Sequence, residues 1–121
     1  MRYNIKGTDL SITDEIRTYV EKKLDSLNKF ISDIETARAD IELGFLRDEA
    51  KQYRAELMFY EPGLPKKLRA VARGDALHEA IDLASAELFR LMTQDKRKRL
   101  DIFRRSAVKV KEYLRGWRDT F

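Results

Sequence analysis

A short C-terminal stretch holds the residues whose types and spacing have the clearest chemical meaning. The run Lys96-Arg97-Lys98-Arg99 is followed by Arg104-Arg105, and Phe103, Tyr113 and Trp117 lie among these and later basic residues. Lysine and arginine bind phosphate oxygens, and arginine can do so through two parallel hydrogen bonds. Aromatic rings stack on unpaired bases. The pattern indicates a polyanionic partner, which leaves RNA, DNA or an anionic membrane surface.

The charge of the chain is distributed very unevenly. The total is +4 over 121 residues, but residues 96–121 carry 10 Lys/Arg against 3 acids, and residues 1–95 carry 15 basic and 18 acidic residues. We therefore predict a near-neutral domain over residues 1–95 and a basic aromatic extension over residues 96–121. Apolar residues in the extension also recur at helical spacing, from Leu100 to Trp117, which predicts a helix. Such a helix could instead pack on the domain or on a second copy, so weak self-association stays open.

The rest of the sequence offers no recognisable catalytic set. There is no cysteine, the single histidine is His78, and the five glycines are isolated, so thiolate metal sites and phosphate-binding loops are not expected. We predict no enzyme activity, no cofactor, no metal and no small-molecule substrate. The longest apolar run, Leu57 to Tyr60, is far too short for a membrane span, and no apolar signal core follows Met1. We expect a cytosolic protein that does not bind membranes.

Periodicity predicts a β-α-β-β-β-α order, hence an α+β fold. Thr13 is a suitable N-cap for a first helix whose apolar residues continue to Ile31, and Asp75 can cap a second whose apolar residues continue to Met92. The strands alternate apolar and polar residues. Their predicted positions are Arg2–Lys6 (closed by Gly7), Ala37–Leu43, Tyr53–Tyr60 and Lys67–Arg73. We predict a four-stranded, mostly antiparallel sheet with two helices on one face, plus the basic C-terminal helical extension.

Two stretches of the sequence resemble a known family. Ile12-Thr13-Asp14-Glu15-Ile16-Arg17, continuing to Leu27-Asn28-Lys29-Phe30, and Asp75-Ala76-Leu77-His78-Glu79-Ala80-Ile81-Asp82 resemble the two helices of the ribosome hibernation promoting factor and ribosome-associated inhibitor A family. The resemblance covers residues 1 to about 98 and is to the short form of the family.

The resemblance implies a domain that binds ribosomal RNA of the small subunit and blocks the messenger and transfer RNA channel. It assigns RNA contacts to Lys23 and Lys29 on helix one and to Arg90 on helix two. Charge and position add Lys22 and Arg73, and the C-terminal run described above. The chain departs from the family in helix two, where members often carry several lysines.

The function that we expect is therefore ribosome hibernation and inhibition of translation. Two alternatives remain at this point. One is a general double-stranded RNA-binding module. The other is a protein-interaction domain that dimerises through its C-terminal helix.

Overall fold

The structure, a computed structural model, describes residues 1–31, 33–62 and 67–94. Its elements follow the predicted β-α-β-β-β-α order. They are β1 (Arg2–Thr8), α1 (Asp14–Asp25), β2 (Arg38–Phe45), β3 (Tyr53–Tyr60), β4 (Leu68–Gly74) and α2 (Leu77–Gln94). The α+β class is confirmed. The predicted C-terminal helical extension and the domain boundary at residue 95 lie outside the described residues.

The four strands form one sheet in the order β1-β2-β3-β4. β1 pairs with β2 in parallel, and β2–β3 and β3–β4 are antiparallel. The sheet is thus mostly antiparallel, with the single parallel pair that a helical crossover permits. Side chains alternate between a face that packs under the helices and a face left open, as expected for strands of period two.

The hydrophobic core lies between the sheet and the two helices. Val20 and Leu24 of α1 and Ile81, Leu88 and Met92 of α2 are buried against the inward side chains of the strands. The inward strand residues include several alanines, which leave room for the helices. They are Ala39, Ile41, Leu43, Ala55, Leu57, Phe59, Leu68 and Ala70. Burial on this scale holds the helices at fixed positions on the sheet.

α1 is shorter than the apolar spacing suggested. Thr13 is the N-cap, as predicted, and its hydroxyl accepts a hydrogen bond from the Ile16 backbone N–H at 3.2 Å. The helix ends at Asp25 rather than at Ile31. The Ser26 hydroxyl donates to the Lys23 carbonyl at 2.6 Å, a local bond that competes with continued helix, and a 3₁₀ turn follows at Asn28–Phe30.

The first strand is longer than predicted because Gly7 does not end it. β1 runs through Gly7 to Thr8, and Asp9 then adopts a φ of 58° as the chain turns. A Cβ on Gly7 would collide with the Leu10 carbonyl oxygen, which folds back over this position. Glycine is required here for close approach of the backbone rather than as a strand terminator.

No helix within residues 1–31, 33–62 and 67–94 is both long enough and apolar enough to cross a membrane.

Candidate nucleic-acid interface

The ends of both helices and the starts of three strands lie at the same end of the domain. α1 returns from the end of β1 to the start of β2, and α2 returns from the end of β4. Two contacts mark this end: Tyr3 donates a hydrogen bond to the Asp25 carboxylate, and the rings of Phe30 and Phe89 are 5.4 Å apart. We call it the Tyr3 end. Most of the predicted RNA-binding residues within the described structure lie near it.

Lys22 and Lys29 are exposed cations at the end of α1 and in the turn that follows it. Lys22 lies in the last turn of α1, where a positive charge complements the helix dipole. Lys29 lies in the following 3₁₀ turn, with its Nζ 5.6 Å from the centroid of the Phe30 ring. A ring holds an ammonium group without cancelling its charge. Both side chains are exposed, so each can reach a phosphate.

Lys23, by contrast, takes part in a cluster between the helices. Its Nζ lies 3.1 Å from the Asp82 carboxylate of α2, and the Tyr19 hydroxyl donates to the same carboxylate at 2.6 Å. Burial and this hydrogen bond raise the pKa of Tyr19 to about 12. The His78 ring packs edge-on against Tyr19, with centroids 4.3 Å apart. We call Tyr19, Lys23, His78 and Asp82 the interhelix cluster; in it Asp82 offsets the charge of Lys23.

Arg90 is also paired with an acid. It donates to both carboxylate oxygens of Glu87, at 2.8 and 2.5 Å, in a bidentate bond one helical turn away. The Arg90 hydrogen bond lowers the pKa of Glu87, so the carboxylate stays charged beside the guanidinium. Arg90 is the one basic residue of α2, which also carries Glu79 and Asp82. α2 therefore presents less positive charge than the end of α1, where Lys22 and Lys23 lie in the last turn.

The structure separates Arg73 from the other predicted contacts. It lies on the open face of the sheet, opposite the helices, and its Nη2 donates to the Ala50 carbonyl at 3.1 Å. Glu49 is 3.6 Å away. Arg73 therefore does not share a surface with the helical lysines. The remaining predicted contacts, Lys96 to Arg99 with Arg104 and Arg105, lie outside the described residues.

Sequence reasoning missed the charge network on the open face. Glu56 of β3 accepts from Arg54 at 2.6 Å and from the Nε and Nη2 of Arg69 at 3.2 and 3.3 Å. These hydrogen bonds, that of Arg69 first, lower the pKa of Glu56. Alternation along β3 and β4 predicts that these side chains share a face. Which of them form ion pairs depends on the register of the two strands, which the sequence alone does not determine.

The described residues contain no group of three or more His, Cys, Asp or Glu placed to hold a metal ion. What the arrangement offers is electrostatic: cations held on a packed scaffold, several of them locally neutralised.

The fold defines a class of protein: a small α+β domain in which a helical crossover joins a parallel strand pair and an antiparallel meander follows. The sequence model of the family described as sigma 54 modulation protein / S30EA ribosomal protein matches residues 3–100. The chain belongs to this family, which confirms the resemblance stated above.

A curated relative is the ribosome hibernation promotion factor of Staphylococcus aureus (strain COL), which is 34% identical over 93 residues. The match covers 74% of this chain but 45% of the relative, so the chain spans less than half the length of that protein.

Two solved structures share the fold. The crystal structure of the Thermus thermophilus protein Y N-terminal domain matches with a TM-score of 0.60 at 34% identity, covering 80% of this chain and 98% of that one. A ribosomal subunit interface protein from Coxiella burnetii matches with a TM-score of 0.59, covering 83% and 99%. Its identity of 20% establishes similarity of fold only.

Proposed function

We propose that this chain binds ribosomal RNA of the small ribosomal subunit and occludes the messenger and transfer RNA channel, so that translation is inhibited and the ribosome hibernates. The observation that carries the proposal is the family match over residues 3–100. The Staphylococcus aureus relative, whose name is ribosome hibernation promotion factor, supports it at 34% identity. Binding of this kind takes place in the cytosol and requires no chemical reaction.

Occlusion requires a body that keeps its shape when it enters the channel. The inward residues of all four strands and both helices form one continuous core, with Val20, Leu43 and Ala84 fully buried. Close packing makes such a core resistant to deformation. The domain therefore acts as a wedge whose occupancy, rather than whose turnover, stops translation.

Affinity is supplied by cations, and in this chain they are not spread evenly over the helices. Lys22 and Lys29 provide exposed positive charge near the Tyr3 end. Lys23 and Arg90 each contact a carboxylate. Residues 96–121 contribute 10 further Lys/Arg. We infer that the end of α1 and the C-terminal segment make the main phosphate contacts, with α2 contributing less.

Competition between ribosomes and a simple RNA duplex tests the proposal. Labelled protein is bound to purified small subunits, and an excess of a mixed-sequence RNA duplex is added at constant salt. If the proposal is right, the protein stays bound to the small subunit, because folded RNA is recognised through its shape and backbone. Transfer of the protein to the duplex in proportion to phosphate concentration would instead identify a general double-stranded RNA-binding module.

A further inference from the structure

The open face of the sheet is more basic than the helical layer. Together α1 and α2 carry four basic and seven acidic side chains. The outward positions of the four strands carry six basic and three acidic ones. The basic residues are Arg2, Lys6, Arg38, Arg54, Arg69 and Arg73, and the acidic ones are Asp40, Glu42 and Glu56. An open antiparallel face is normally mixed in charge, so this excess indicates an anionic partner.

Two of these basic residues, Arg2 and Arg38, belong to a row of side chains that crosses β1, β2 and β3 and continues to Lys67, directly before β4. Arg2 of β1 is the register partner of Arg38 of β2, and Arg38 is the partner of Tyr60 of β3. Leu68 pairs with Phe59, so Lys67 continues the row beside Tyr60. Three inter-strand spacings make the row roughly 14 Å long. We call Arg2, Arg38, Tyr60 and Lys67 the open-face row.

Two cations of this row lie against the ring of Tyr60. The Arg38 guanidinium lies 4.2 Å from the centroid of Tyr60, and the Lys67 Nζ lies 5.5 Å from it. Asp40 is the one acid in ion-pair reach of the row within the described residues, 3.4 Å from Arg38. Cation–π contacts orient the charges but leave them available to an anion.

The open-face row contains one pair of adjacent like charges. Arg2 and Arg38 are directly adjacent on neighbouring strands and both are exposed, so their like charges repel each other. A phosphate placed between them removes that repulsion and can accept bidentate hydrogen bonds from either guanidinium. The positions of the side chains thus favour a phosphodiester over a neutral ligand.

We propose that the open-face row is a second RNA-binding site, which grips the phosphodiester backbone of an RNA strand through Arg2, Arg38 and Lys67 while Tyr60 orients the cations. This inference rests on the proposed function. The row lies at the starts of β1, β2 and β4, which is the Tyr3 end. An RNA that passes this end of the domain could therefore contact Lys22 and Lys29 on the helical side of the sheet and the open-face row on the other side.

The test compares two double variants that remove the same charge. Arg38→Gln/Lys67→Gln disrupts the row. Arg17→Gln/Arg47→Gln is the matched control, because Arg17 and Arg47 are exposed and lie at the opposite end of the domain, at the start of α1 and after β2. Binding to purified small subunits is measured over a range of salt concentrations. Thermal unfolding of each variant verifies that it is folded.

The row variant is expected to lower the slope of log affinity against log salt by about 1.4–1.8, since two phosphate contacts are lost. The control is expected to keep the wild-type slope. Equal slopes in the two variants, with a wild-type chain that binds, would overturn the open-face site and leave the proposed function standing.

A titration with a short oligouridylate, followed by NMR through the backbone amide signals, tests the open-face site independently of the proposed function. The open-face site predicts that the amides of Arg38, Tyr60 and Lys67 shift in the wild type and not in the row variant. If the wild type binds no subunits, the proposed function is wrong, and this titration alone decides the site. Unmoved row amides would refute it.

Discussion

Lys23 and Asp82 join the two helices through an ion pair of 3.1 Å, although 58 residues separate them in the chain. The same carboxylate accepts the Tyr19 hydroxyl, so Asp82 holds the α1–α2 interface from one side. The pair places a residue that the family resemblance assigns to RNA binding next to an acid. Asp82 therefore stabilises the contact between the helices and at the same time reduces the net positive charge at Lys23.

Asp82→Asn is expected to tighten binding to the small subunit. The substitution removes an acid beside Lys23, and a new bond from Lys23 to phosphate would steepen the log-log salt slope by roughly 0.7–0.9. Loss of the ion pair, together with a weaker acceptor for the Tyr19 hydroxyl, should cost about 1–2 kcal/mol of unfolding free energy. Salt titrations of subunit binding measure the first effect and urea unfolding the second. Glu79→Gln, the same charge change on the same helix, is the control; equal affinities of the two variants would show that the interhelix cluster does not limit binding.

Glu56 makes the stability of the sheet depend on pH. Hydrogen bonds from Arg69 and Arg54 lower its pKa below the ordinary 4.5. A carboxyl group whose pKa is lower in the folded state stabilises the fold when the pH is above its pKa in the unfolded state. That contribution is lost as the pH falls through its pKa in the folded state. Between neutral pH and well below pH 4.5, the wild-type unfolding free energy should fall further than that of Glu56→Gln.

Urea unfolding at several pH values measures the effect of Glu56. Glu35→Gln, an exposed acid in the turn before β2, is the control for the change of charge. Parallel pH profiles for the wild type and Glu56→Gln would contradict the role of the Arg54–Glu56–Arg69 network.

Gly7 and Gly44 form a matched pair of glycines on adjacent strands. A Cβ at Gly7 meets the Leu10 carbonyl, whereas one at Gly44 lies 3.7 Å from the Thr8 carbonyl oxygen, an ordinary contact. We expect Gly7→Ala to destabilise the domain by about 1–3 kcal/mol. Gly44→Ala should be neutral or stabilise it by less than about 1 kcal/mol. Chemical unfolding compares them, and a Gly7→Ala variant as stable as Gly44→Ala would refute the close approach.

Deletion of residues 96–121 tests the contribution of the basic segment. If five of its 10 Lys/Arg contact phosphate, the salt slope of subunit binding should flatten by about four. The deleted chain retains all described elements, so its unfolding transition is the control for folding. An unchanged slope would remove the segment from the binding mechanism and favour the alternative that it mediates protein contacts.

The sequence predicted most of the fold because strands and helices have different periods. Alternation along residues 53–60 gave β3 with its observed bounds, and the Thr13 cap gave the start of α1. The predicted end of α1 was wrong. Leu27 and Ile31 are buried, as helical spacing suggested, but they reach the core from the residues directly before and after the 3₁₀ turn. Burial periodicity alone does not distinguish these conformations.

The candidate site was less predictable because ion pairs depend on tertiary neighbours. Nothing near Lys23 in the sequence indicates Asp82, and the open-face row assembles residues from β1, β2, β3 and the segment before β4. Arg73 shows the same difficulty. Alternation along β4 predicted the face of the sheet on which it lies, but not that this face is separate from the surface of the helical lysines. The expectation of ribosome binding came from the family resemblance rather than from residue spacing.

Cosedimentation with purified small ribosomal subunits tests most directly whether cations on this scaffold bind ribosomal RNA. The full chain should pellet with the subunits at low ionic strength and be released as salt is raised, because each phosphate contact liberates counterions. Retention that is independent of salt, or no retention even at low ionic strength, would contradict it.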